Sequence, residues 1–110
     1  MSAGSYNFVI DQGATTVVEF DYLNDDGTVI DLTGYSASCQ IRTEASASSA
    51  TVTVTPTVTA LTGRVTLTLS ATNTALLTEP TYVYEIQLTK GSEVISFIKG
   101  VITTDAEIVR

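Results

Sequence analysis

The chain has 110 residues, 12 acidic and 5 basic, for a net charge of −7, with no His, no Trp and a single Cys. That length suits one domain around one hydrophobic core, and the 44% apolar content can fill it. The composition excludes an imidazole base, a His-ligated zinc and an internal disulfide, and the acidic balance argues against a nucleic-acid binder, which needs Lys and Arg on phosphates.

Apolar residues recur every second position from end to end, the primary signal for strands. The first run is Tyr6 to Ile10, closed by Asp11-Gln12-Gly13. Residues 1–5 ahead of it read as an N-terminal arm; they lack the basic and apolar regions of a signal peptide. Thr15 to Leu23 follows, with Val18, Phe20 and Tyr22 on one face and Val17, Glu19 and Asp21 on the other. Asn24-Asp25-Asp26-Gly27 is a hairpin-turn signal, because these residue types tolerate positive φ. Thr28 to Ile30 reads as a short strand or arm, and Leu32-Thr33-Gly34 breaks it. Tyr35 to Thr43 alternates again, with Tyr35, Ala37, Cys39 and Ile41 inward. Cys39 in that row is a small buried hydrophobe, since a reactive thiol needs a base or cation beside it. The single thiol fits synthesis in a reducing cytoplasm.

Residues 44–50 are small and polar and read as an exposed, mobile loop. Thr51 to Val58 alternates Thr with Val, giving one β-branched polar face, and Pro56 marks an edge strand or a strand end. Arg64 to Ser70 places Val65, Leu67 and Leu69 on the core face. Ser and Thr capping residues ahead of Ala75, Leu76 and Leu77 predict one helical turn. Tyr82, Tyr84, Ile86 and Leu88 then line a strand, Lys90-Gly91-Ser92 turns the chain into Val94 to Ile98, and Gly100 permits a bulge before Val101 to Thr104. Seven or eight short strands with regular turn signals predict an all-β, immunoglobulin-like antiparallel sandwich with one short helical turn, as a single domain. Tyr82, opening its strand after the helical turn, is the candidate for the hydroxyl that ties down the corner between sheets, with Tyr84 as substitute.

The polar clusters favour bland readings. Asp21, Asn24, Asp25, Asp26 and Asp31 surround a turn and carry the oxygen ligands calcium needs. The calcium-loop register nevertheless puts Tyr22 where the first Asp should stand, so a solvated turn is preferred. Glu19 with Asp21, or Glu79 with Glu85, would have to serve as an acid–base pair. Glu19, Asp21 and Glu85 fall on solvated strand faces, where carboxylates keep ordinary pKa values. The expectation is a protein without catalytic residues, metal or cofactor. No run of 18 apolar residues occurs, so no membrane helix is expected. Only 15% of residues are charged, against about 25% in typical domains, and 20 Thr with 10 Ser take much of the balance; such a surface favours contact with other protein.

Several stretches carry a resemblance. Tyr6-Asn7-Phe8-Val9-Ile10-Asp11-Gln12-Gly13-Ala14-Thr15, Asp25-Asp26-Gly27-Thr28-Val29-Ile30-Asp31-Leu32-Thr33-Gly34-Tyr35, Leu69 through Leu77, and Tyr82 through Leu88 resemble, in order, small tailed-bacteriophage virion proteins. The second and fourth stretches are also similar to the N-terminal β-sandwich domain of phage baseplate upper proteins. The resemblance implies a non-enzymatic structural protein, present in many copies, assembled in the host cytoplasm and residing in the virion, with other capsid or tail proteins as partners. Baseplate proteins continue into a further module where this chain ends at Arg110, which shifts the expectation toward a capsid decoration (cement) protein and leaves a tail or baseplate adaptor as the alternative. Tyr6, Phe8, Thr53, Thr55 and Thr57 are the expected contact residues, because strand edges and N-terminal segments are the surfaces most open to pairing. A carbohydrate- or cell-surface-binding module is the third reading, and it requires exposed tyrosines at Tyr35, Tyr82 or Tyr84.

Overall fold

A computed structural model describes residues 4–23 and 26–105. Residues 1–3 of the expected arm, Asn24 and Asp25 of the expected turn, and the tail from Ala106 lie outside the described residues. The chain forms β1 (Gly4–Ser5), β2 (Phe8–Asp11), β3 (Thr16–Asp21), β4 (Ser36–Arg42), β5 (Val52–Val54), β6 (Thr57–Thr59), β7 (Arg64–Leu69), α1 (Ala71–Ala75), β8 (Thr81–Lys90) and β9 (Glu93–Asp105). A single 3-10 turn, Ala60–Thr62, joins β6 to β7.

Two sheets result. In the larger one the order is β1, β9, β8, β4, β5, with β2 following β1 along the same edge of β9; the smaller is β3, β7, β6. This is an all-β sandwich of two sheets. The alternating rows face each other across the interlayer space. Ala37, Cys39 and Ile41 of β4 and Tyr82, Tyr84, Ile86 and Leu88 of β8 meet Val65, Leu67 and Leu69 of β7 in one core. An aromatic cluster closes one end of it: Phe20 lies edge-on to Tyr6 (5.5 Å between ring centroids) and to Phe97 (6.2 Å), and Phe8 lies edge-on to Tyr84 (5.2 Å).

Three details depart from the sequence reading. Nine strands occur among the described residues: the expected arm supplies one of them, and one run read as a single strand is divided. Gly4 and Ser5 of the expected arm pair with Ile98 and Lys99 as β1, and the strand expected from Tyr6 begins at Phe8. Thr51 to Val58 is broken at the buried Pro56, so β5 ends in the larger sheet and β6 begins in the smaller. Pro supplies no N–H for a ladder and here marks the crossing. The pairing of β1 and β2 with β9 is parallel, whereas the other strand pairs are antiparallel. Finally, β9 runs unbroken through Gly100, and its bulge lies opposite Ile86 and Gln87 instead, at Ser96–Ile98.

The corner between β7 and β8 follows the local chemistry. Ser70 caps α1: its Oγ accepts from the Asn73 N–H (3.1 Å), and Asn73 Oδ1 accepts in return from the Ser70 N–H (3.2 Å). The Glu79 N–H donates to the Tyr82 hydroxyl oxygen at 2.9 Å, which is the corner tie expected of Tyr82. Thr74 is fully buried. Its Oγ1 accepts from the Gly13 N–H (3.0 Å) and donates to the Ala14 carbonyl (2.8 Å), pinning α1 to the β2–β3 loop. Thr74→Val keeps the shape but strands both backbone groups, and should cost about 2–3 kcal/mol in chemical unfolding. Thr74→Ser should retain most of the stability; equal losses for the two variants would show that the methyl matters as much as the hydroxyl.

Cys39 is entirely enclosed, and burial pushes its thiol from the ordinary value of 9.0 up to about 12. Tyr84 is raised in the same way, first by burial. A group that holds its proton more tightly folded than unfolded leaves stability intact below the unfolded pKa and lowers it above. The unfolding midpoint should therefore fall as pH rises from 9.0 toward about 12, and Cys39→Ala should flatten that slope. Native Cys39 should also resist thiol reagents at neutral pH, and rapid labelling of the folded protein would contradict its enclosure.

Candidate functional site

The outer face of the smaller sheet is a regular surface built by three strands. Register sets it in rows: Val17 beside Thr68; Glu19 beside Thr66 and Thr57; Asp21 beside Arg64 and Thr59. Val17 is 59% exposed, and the threonines place methyl groups and hydroxyls at one height along β6 and β7. The charges on this face are spent on one another. Arg64 Nε donates to Asp21 Oδ1 at 2.9 Å and its Nη1 lies 3.5 Å from Glu19. The bond from Arg64 holds the Asp21 carboxyl below the usual carboxylate range. The result is a flat surface of Val and Thr with paired charges, and both β3 and β6 are sheet edges with one side unpaired.

The five expected contact residues are not brought together on it. Thr57 belongs to this face, whereas Thr53 lies on β5 of the larger sheet, opposite Gln40, and Thr55 is exposed in the crossing between the two. The continuous threonine face read from residues 51–59 is thus divided between two sheets. Tyr6 is 47% exposed, but its ring stacks on Phe8 (6.0 Å). Phe8 is half-buried against Tyr84 and contributes more to the core than to the surface. Val17, Thr66 and Thr68 are not among the contacts expected from sequence, although the outward alternation of Val17, Glu19 and Asp21 was legible there.

No family model and no curated protein matches the chain. The site therefore has to be read from its chemistry.

The acidic turns are locally satisfied. Asp26 Oδ1 accepts from the Thr28 N–H (3.0 Å) and hydroxyl (2.6 Å), and Asp31 Oδ1 accepts from the Thr33 N–H (2.9 Å) and hydroxyl. These Asx turns lower both carboxyl pKa values, the threonine hydroxyl acting most strongly. Among the described residues no group of three or more acidic or thiol side chains converges to hold a metal ion. Of the carboxylate pairs weighed for acid–base work, Glu19 and Asp21 both turn to Arg64. Glu79 and Glu85 stand six residues of mostly extended chain apart, roughly 20 Å. Tyr82 and Tyr84 are buried, so neither can stack a sugar ring; Tyr35 is half-buried, with its hydroxyl donating to Glu93 and Lys90 Nζ 5.5 Å from its ring centroid.

Proposed function

We propose that this chain is a non-enzymatic structural protein of a tailed-bacteriophage virion, a capsid decoration (cement) or other accessory protein that docks on a symmetric shell. The reading joins the resemblance of four ordered stretches of the chain to one structural observation: the Val–Thr face of the smaller sheet, whose charges are already paired. Docking takes the exposed Arg64, Asp21 and Glu19 out of water, and their staying paired makes that cost smaller than burying lone charges would be. It also buries methyl groups of Val17 and the threonines. Many copies on one lattice turn a modest contact per copy into firm attachment. A tail or baseplate adaptor uses the same face against a different partner.

Cryo-electron microscopy of the phage particle tests the proposal. Density for an 11.6 kDa sandwich on the capsid lattice, with β3 and β6 toward the shell, is the expected result. Density confined to tail or baseplate selects the adaptor, and a particle lacking the chain overturns the virion reading. Val17→Asp places a charge on the docking face at an exposed position. It should abolish incorporation while the isolated domain keeps its melting temperature to within about 3 °C, as expected of an exposed change. Normal incorporation of this variant would move the contact elsewhere on the molecule.

A further inference from the structure

On the outer face of the larger sheet, four neighbouring strands bring together two rows of side chains. Gln40, Glu85, Lys99 and Ser5 form one. Arg42, Val83 and Val101 form the next, with Asn7 bonded to the Val101 N–H. Together with Ala45 they border a groove of about 560 Å³ with Val83 and Val101 on its floor. That volume falls within the usual range for ligand sites, about 300–1,000 Å³.

The hydrogen-bonding groups left over in this groove are nearly all donors. Asn7 Oδ1 accepts from the Val101 N–H at 2.9 Å, and Gln40 Oε1 accepts from Arg42 Nη2 at 2.7 Å. Each amide has thus committed its oxygen to a neighbouring N–H, and its NH2 remains to donate. The cations tell the same story. Of the four basic residues described, Arg64 pairs with Asp21 and Glu19, and Lys90 lies over the Tyr35 ring. Arg42 and Lys99 have no carboxylate partner among the described residues, and both line the groove. Arg42 is steadied instead by the Ala47 carbonyl at 2.9 Å. The groove's one carboxylate, Glu85, accepts from the Ser96 hydroxyl. On a chain of net charge −7, this is a local excess of positive charge and of donors.

We propose that the groove docks an acidic, extended peptide segment of a partner protein. Its carboxylates meet Arg42 and Lys99, its carbonyl oxygens take the free amide protons of Asn7 and Gln40, and its aliphatic stems lie on Val83 and Val101. Charge complementarity selects this occupant: a basic segment would face two unpaired cations, and a neutral sugar would find no exposed aromatic ring to stack on. The inference stands on the groove's chemistry and does not rest on the virion reading.

Titration of the isotope-labelled domain with an end-blocked hexaglutamate peptide, followed by NMR, tests it. Shifts should concentrate at Asn7, Gln40, Arg42, Lys99 and Val101, and raising the salt should weaken them. Lys99→Gln, which removes no hydrogen bond or ion pair among the described residues, should weaken binding roughly two- to fivefold. Glu85→Gln should strengthen it by a similar factor. Hexaglutamine, lacking the charge, should leave the groove unshifted. No shifts at these positions, equal binding of hexaglutamine, or indifference to Lys99→Gln would overturn the proposal. Glucuronate binding at the same residues more tightly than the peptide would also overturn it, by identifying a sugar-acid site instead.

Discussion

Gly100→Ala should destabilise the domain by about 3 kcal/mol and release its N-terminal strand. Gly100 lies in β9 opposite Tyr84, where the alternation points a side chain inward, yet the backbone of the first segment passes through that space. A Cβ there would stand 2.8 Å from the Tyr6 carbonyl carbon, closer still to its oxygen, and 3.0 Å from Asn7 Oδ1. The first two obstacles are backbone and cannot rotate aside. Three bonds fasten the segment at this point. The Tyr6 N–H donates to the Lys99 carbonyl at 3.1 Å, the Tyr84 hydroxyl donates to the Tyr6 carbonyl, and Asn7 Oδ1 accepts from the Val101 N–H. A methyl group at residue 100 disturbs all three together. The melting temperature should drop by more than about 10 °C, and hydrogen exchange at Phe8–Asp11 should accelerate ahead of exchange in β8. A variant that melts within about 2 °C of the parent would mean that the N-terminal strand is not clamped at this glycine.

Gly100 also marks where the sequence stops being informative. Its residue type announced a backbone peculiarity, and a bulge was the local reading; the cause is a strand from the other end of the chain, and no local pattern records an approach across more than 90 residues. The parallel pairing of β1 and β2 with β9 was hidden for the same reason. By contrast, every element whose burial is set by its own alternation was legible. The inward rows Ala37-Cys39-Ile41, Val65-Leu67-Leu69 and Tyr82-Tyr84-Ile86-Leu88 are all buried. The helical turn was legible from its Ser70 cap, and the corner tie from the place of Tyr82 at the head of its strand.

The surfaces were harder to read, because a face is made by pairing between strands and not by one strand's pattern. The repeating threonines of residues 51–59 suggested one face, but Pro56 sends its two halves to different sheets. What Thr57 and Thr59 share a surface with is Thr66, Thr68 and Val17, which register alone decides. The groove is one step further from sequence. Its donor excess depends on which amide oxygen is already used, and that follows from Asn7 meeting the Val101 N–H and Gln40 meeting Arg42.

The second large effect is expected at Gly63. This residue ends the 3-10 turn with φ at +64°, donates its N–H to the Ala60 carbonyl (3.2 Å) and accepts from the Tyr22 N–H (2.7 Å). A Cβ would lie 2.6 Å from the Ile30 carbonyl oxygen and 2.8 Å from that of Tyr22. Two costs add in Gly63→Ala. The left-handed backbone is unfavourable for any residue with a Cβ by roughly 1 kcal/mol, and prising Tyr22 and Ile30 apart adds about 2 kcal/mol. Gly91 separates the two terms, since its φ is +59° but nothing lies within 4 Å of its missing Cβ. Gly91→Ala should therefore lose only the backbone share, about 1 kcal/mol, and Gly63→Ala about 3 kcal/mol by denaturant unfolding. Equal losses would mean that Tyr22 and Ile30 yield freely. A threefold ratio would place the contact between the 3-10 turn and the segment before Leu32, whose N–H donates to the Ala60 carbonyl at 2.9 Å, among the tightest in the fold.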